Sequence, residues 1–203
     1  MECDALKEIS MFKIRWDKEK LKHELLNGYQ SYSIMDHWIP VFVYVGEIEI
    51  SGLKDIPGGD VTHILTFFSD TLSVIQLFDP EKLGQTDFVV GRKVRGNVVT
   101  GGGFEYSAVY DKITDCVTIQ YKNKGITNWR TITMSLREYA EGVLAAAREI
   151  ISDIRRIAPE KSADDDFLIG LEMDYNTIRS WYEERYHAPV EEKYVIPARF
   201  YPV

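Results

Sequence analysis

The stretch that decides the fold runs FEYSAVYDKITDCVTIQYKNKGITNWRTITM from Phe104 to Met134, then SLREYAEGVLAAAREIISDIRRI from Ser135 to Ile157. In the first half, Phe104, Tyr106, Ala108 and Tyr110 alternate with Glu105, Ser107, Val109 and Asp111. Val117, Ile119 and Tyr121 alternate in the same way with Thr118, Gln120 and Lys122. A period of two is that of a strand with one buried face. Asp111–Asp115 and Asn123–Gly125 supply turns of hairpin length. A third strand is expected from about Thr127 to Met134, so the chain from Phe88 to Met134 reads as an antiparallel meander.

At Ser135 the period changes. Ser135-Leu136-Arg137-Glu138 is a capping box, in which the serine hydroxyl and the glutamate carboxylate each satisfy a free amide of the first turn. Met134 and Tyr139 occupy the positions of a hydrophobic staple. Leu136, Ala140, Val143, Leu144, Ala147, Ile150, Ile151 and Ile154 then form one apolar stripe. A helix of this length measures roughly 33 Å. Pro159 stops it, and a stripe this wide requires a sheet or other helices to cover it.

Upstream, Phe12, Ile14 and Trp16 mark a strand, and Asp17 is placed to cap a helix through Leu21, Leu25 and Leu26 that stops at Gly28. His37–Ile50 reads as another strand, with Val41, Val43 and Val45 on one face and Phe42 and Tyr44 on the other. Pro40 cannot donate to a ladder, so this strand is expected to begin after it or to lie on an edge. Ser51–Asp60 is a loop by composition. The spacing of Val61, Ile64, Leu65, Phe68, Leu72 and Ile75 predicts a helix over 61–78 capped by Asp60, although its β-branched content pulls toward two short strands. Asp79–Gln85 is a turn-rich connection.

Downstream, Asp164, Asp165 and Asp166 open a second helical region, where carboxylates favour the positive end of the helix dipole. Phe167, Leu168, Leu171, Tyr175, Ile178, Trp181 and Tyr182 continue it at helical spacing, and Asp174 is expected to cap a fresh helix and divide it. The tail from Pro189 to Val203 is expected to run extended. The whole, residues 1–203, reads as a single α+β domain: a mostly antiparallel sheet with helices packed on one face. The softest boundary lies at 159–163, before the acidic C-terminal helical region.

Composition narrows the function. The chain has 203 residues, 45% hydrophobic and 28% charged, with a formal net charge of -8. Acidity disfavours nucleic acid and anionic membranes as partners, because both need a basic face. The opening MECDALKEIS has no apolar core of a signal peptide, and no run is long enough to span a membrane. Cys3 and Cys116 are expected as reduced thiols in a cytoplasmic protein.

Motifs of catalysis or ligand binding do not emerge, so no catalytic, cofactor or metal residues are assigned. His23, His37, His63 and His187 lack the spacing of a helical metal pair. Thr100-Gly101-Gly102-Gly103 is glycine-rich, but strands flank it on both sides, which suits a hairpin better than a phosphate loop. Cys116 reads as a buried, inert thiol. Arg92, Lys93 and Arg95 read as a solvated edge strand.

The C-terminal region is the most unusual part, with ten acids against five bases from Glu160 to Val203. Aromatic rings lie among those acids. Rings as anchors and carboxylates for steering suit a surface for a basic protein. Asp164, Asp165, Asp166, Trp181, Tyr182, Glu183, Glu184 and Tyr186 are the candidate partner-binding residues. The arrangement from about Val41 to Ile157, with a strand running straight into a long amphipathic helix, resembles bacterial immunity proteins of polymorphic toxin systems. That resemblance is architectural and implies a non-enzymatic protein that binds and neutralises a toxin or effector domain. Two alternatives stay open: an enzyme or small-ligand binder using Asp36, His37, Glu47 and His63, and a homo-oligomeric structural protein.

Overall fold

The computed structural model describes residues 12–27, 34, 37–52, 58–83, 92–122 and 127–188. Its elements run β1 (Phe12–Trp16), α1 (Lys18–Asn27), β2 (Trp38–Val45), β3 (Ile48–Glu49), β4 (Asp60–His63), α2 (Ile64–Phe78), β5 (Lys93–Val99), β6 (Glu105–Asp111), β7 (Cys116–Lys122), β8 (Arg130–Ser135), α3 (Leu136–Ile157), α4 (Pro159–Ala163) and α5 (Asp166–Tyr186). The fold is α+β and its strand pairings are antiparallel.

The expected meander is the four-stranded sheet β5-β6-β7-β8. Val98, Tyr106, Ala108, Tyr110, Val117, Ile119, Tyr121 and Met134 turn inward, as the alternation requires. Cys116 pairs with Ser135 at the end of the ladder. The last strand residue therefore also caps α3: the Glu138 amide donates to Ser135 Oγ (3.2 Å) and the Ser135 amide to Glu138 Oε2 (3.0 Å).

The remaining strands form a second sheet rather than extending the first. β2 is its spine, with β1 along one side and β3 and β4 in tandem along the other. Pro40 lies inside this central strand, which corrects the expectation of an edge or a later start. Its carbonyl accepts from the Asp17 amide (3.0 Å), so its nitrogen faces the side where β1 has already ended. No ladder bond is forfeited there. Val61–His63 belong to β4 and the helix begins at Ile64, so both local tendencies of 61–78 are satisfied in succession.

Asp60 does not cap α2, as the sequence suggested. Its Oδ2 accepts from Thr100 Oγ1 (2.6 Å) and from the Phe104 amide (2.6 Å), closing the β5–β6 hairpin. The Gly102 amide donates to the Val61 carbonyl (3.0 Å), so this loop joins the two sheets. Side chains at positions 101 and 102 would strike the Trp38 ring and the Asp60 carboxylate. The glycines thus serve close approach within the fold.

α2 and α3 pack on the sheets, α2 against β2, β4 and β5 and α3 against β1, β7 and β8, and α5 packs across both helices. Their apolar faces merge with the strands into one core. α3 crosses β1 at Gly142, where a Cβ would collide with the Phe12 carbonyl. α5 is a continuous helix. Asp174 does not divide it; its carboxylate turns to α2 and accepts from Gln76 Nε2 (3.1 Å). The tail from 189 lies outside the described residues.

Cys116 is disulfide-bonded, and no free cysteine occurs among the described residues. This corrects the expected reduced thiol. Its parity in β7 is opposite to that of Val117 and Ile119, so the sulfur leaves the sheet on the face away from the core. Disulfides persist in oxidising compartments, so the cysteines no longer argue for a cytoplasmic setting. Cys3 lies outside the described residues. No described helix is long and apolar enough to cross a membrane.

Candidate interaction surface

The expected partner-binding residues separate into two groups at opposite ends of α5. At its C-terminal end the rings are structural. Trp181 is 4% and Tyr182 1% exposed. Trp181 Nε1 donates to Asp79 Oδ2 (2.9 Å), and the Tyr182 hydroxyl donates to the Glu141 carboxylate. Tyr186 packs on the core beside Tyr182, ring centroids 4.9 Å apart. The Arg185 guanidinium lies over the Trp181 and Tyr186 rings and binds Asp115 Oδ1 (2.9 Å) and the Tyr110 hydroxyl (3.2 Å). Burial foremost raises the Tyr182 and Tyr186 hydroxyls to about 12. Glu183 pairs with Arg179 (3.0 Å) and Glu184 with Lys82 (2.8 Å). These three rings therefore hold α5 to the domain and are not displayed to a partner, which corrects the premise drawn from sequence.

The N-terminal end of α5 is different. Pro159 opens the short α4 directly after α3. Asp165 then caps α5, accepting from the Leu168 amide (2.9 Å) and from the Ile34 amide (3.0 Å). Beneath this corner, Arg155 of α3 forms a bidentate pair with Glu172 of α5 (2.8 and 2.9 Å) and donates to the Ser162 carbonyl. Glu172 is fully buried. The corner is rigidly supported from within, and Asp165 is consumed by that support.

Outside, Glu160, Asp164 and Asp166 are exposed. Phe167 is 53% and Met173 52% exposed on the same helix. Between them stands Gly170, in an ordinary helical conformation and with nothing within 4 Å of where a Cβ would be. Residues three apart on a helix are neighbours, so the glycine forms a notch between two apolar side chains. Lys161 Nζ donates to the Leu25 carbonyl (2.9 Å), which brings the end of α1 and its exposed Leu26 to this corner. A glycine within a helix costs about 1 kcal/mol relative to alanine. No close approach among the described residues requires it.

Asp164 and Asp166 are thus the sequence candidates placed on this surface, while Phe167, Gly170, Met173 and Leu26 were missed. A signal was present. The stripe Leu168, Leu171, Tyr175, Ile178, Tyr182 leaves Phe167 and Met173 off it.

The polar set considered for an enzyme does not converge. His37 is buried with Nδ1 3.7 Å from Glu24 Oε2, and His63 stacks on Trp38 with centroids 4.2 Å apart. Glu47 sits at the β2–β3 turn, the far end of β2, roughly 23 Å away at the rise of a strand. Asp36 lies outside the described residues. Among the described residues, no group of three His, Cys, Asp or Glu side chains is arranged to hold a metal ion. Comparison of the chain with protein-family models, curated proteins and solved structures finds no match.

Proposed function

We propose that this protein is a non-enzymatic protein-binding module that docks a basic partner on the α4–α5 corner. The observation that carries the reading is Gly170 open to solvent between half-exposed Phe167 and Met173, one turn after the acids Asp164 and Asp166. The carboxylates steer a positive surface, the apolar pair anchors it, and the notch admits a partner side chain. The specific form we favour is an immunity-type protein that covers the working surface of a toxin or effector domain. The net charge of -8 supports a basic partner of this kind.

The test is retention of protein from the source cells by the immobilised chain, compared with a double Asp164→Lys/Asp166→Lys variant and with Phe167→Ala. Glu47→Lys, an exposed acid at the far end of β2, serves as the control. Retention that weakens with salt, is lost in the corner variants and survives in the control is expected. Equal retention by all four chains, or by none, refutes the reading.

A further inference from the structure

We infer that residues 1–11 form a redox-released strap, which a disulfide between Cys3 and Cys116 draws round the edge of β8 at its Ser135 end. Cys116 is disulfide-bonded, and Cys3 is the other cysteine of the sequence. The bond therefore ties the segment before β1 to the first residue of β7 and closes a loop of more than half the chain.

The two anchors of this segment lie on opposite faces of the β5–β8 sheet. Phe12, the first residue of β1, is on the inner side. Its ring packs on Tyr106 and Tyr139, with centroids 6.0 and 4.8 Å apart, and its carbonyl meets α3 at Gly142. The Cys116 side chain is on the outer side, in line with Thr118, Gln120 and Lys122. Thr118 and Gln120 are half-buried there and Lys122 is exposed, whereas Cys116 is 7% exposed. That burial suits a sulfur with chain lying over it.

The segment has to pass from one face to the other. Phe12 is nine residues on from Cys3, a reach of about 30 Å when extended. Round the β6–β7 turn the way is filled by the last turn of α5, where Arg185 binds Asp115 Oδ1 (2.9 Å) and Tyr186 lies under Arg137. Cys116 is one strand from the free edge of β8 and two from that of β5. Strands are about 4.8 Å apart, so the β8 edge is well within reach. Cys116 pairs with Ser135, which places the crossing at that end of the strand. β8 pairs with β7 and with no other described strand, and its register has no bulge and no proline. A bare edge of this kind accepts strands from other chains, and a strap across it prevents that. Reduction by a dithiol breaks the S–S bond and gives two protein thiols, while the dithiol closes to its own cyclic disulfide; the strap is then held by β1 alone.

The test takes the full chain equilibrated with oxidised glutathione, then with excess dithiothreitol, beside Cys3→Ser and Cys116→Ser. Proteolysis without reductant and mass spectrometry identify the bond, and amide hydrogen exchange follows β8. A linked peptide joining Cys3 to Cys116 within one chain is expected. Exchange at the Ser135 end of β8 should become severalfold faster on reduction and in both variants, and Tm should fall, since the bond constrains the unfolded chain. Two thiols that stay free in oxidised glutathione, or a bond between chains, overturn the inference. So does a bond within one chain whose reduction leaves the exchange of β8 unchanged. Should Cys116→Ser fail to fold, Cys3→Ser decides: exchange equal to that of the oxidised wild type overturns it.

Discussion

Two glycines lie within long helices, and replacing each by alanine is expected to change stability in opposite directions. Gly170 in α5 has open space where a Cβ would be, and Gly142 in α3 has the Phe12 carbonyl there. Both adopt ordinary negative-φ backbone, so neither substitution is strained by conformation. Helix propensity alone favours alanine by about 0.5–1 kcal/mol at each site. At position 170 nothing opposes that gain. Gly170→Ala should therefore raise stability by about 0.5–1 kcal/mol, which is about 1–4 °C in Tm for a domain of this size. At position 142 the new methyl group can be accommodated only if α3 withdraws from β1. That movement would open the packing of Phe12 against Tyr139, whose ring centroids are 4.8 Å apart. Overpacking of this kind costs about 1–3 kcal/mol, so Gly142→Ala should lower Tm despite the better helix former. Urea unfolding with a fitted midpoint and slope measures both. A destabilised Gly170→Ala would show that the notch is filled by the chain itself and would remove the argument for a partner. An unaffected Gly142→Ala would show that α3 does not lie on β1 as described.

Three further outcomes follow from the interior. Glu172→Ala leaves the half-buried Arg155 without its bidentate partner and should cost about 3 kcal/mol, whereas a double replacement of both residues by methionine should cost far less; a double-mutant cycle in urea checks the difference. Ser135→Ala breaks the capping box at the strand-to-helix junction and should cost about 1 kcal/mol with little change in the unfolding slope. Burial raises the Tyr106 hydroxyl to about 12, against an ordinary value near 10, so between pH 10 and 12 the folded state holds a proton that the unfolded chain has lost. The stabilisation is complete below pH 10 and is lost as pH rises toward 12, so stability should fall across that window. Absorbance of tyrosinate at alkaline pH, followed together with circular dichroism, would show Tyr106 ionising only as the fold is lost.

Much of the architecture was legible because local patterns and tertiary packing agree. Alternation along 104–134 placed the inward residues of β6 and β7, and the Ser135–Glu138 box placed the start of α3. Where the two levels separated, the sequence misled. Pro40 is harmless in a central strand only because β1 ends beside it, and the length of a neighbouring strand is not written at Pro40. Asp60 resembles a helix cap, yet its carboxylate is taken by a hairpin some forty residues away. The surface was misplaced for a related reason. Carboxylates and rings adjacent in sequence around 181–186 fall on different sides of α5, and that helix is covered by both α2 and α3, so its buried face is wide enough to take the rings. The three aspartates at 164–166 separate too: Asp165, in extended backbone, turns its carboxylate inward as the cap of α5, while Asp164 before it and Asp166 after it stay exposed.

The deciding question is where a partner touches this chain. Amide hydrogen exchange of the protein alone and with the protein that it retains measures this directly. Slowed exchange confined to α4 and the first two turns of α5, with the outer face of β5–β8 unchanged, is the result predicted. Protection on that sheet face, with α4 and the start of α5 exchanging as in the free chain, would contradict it.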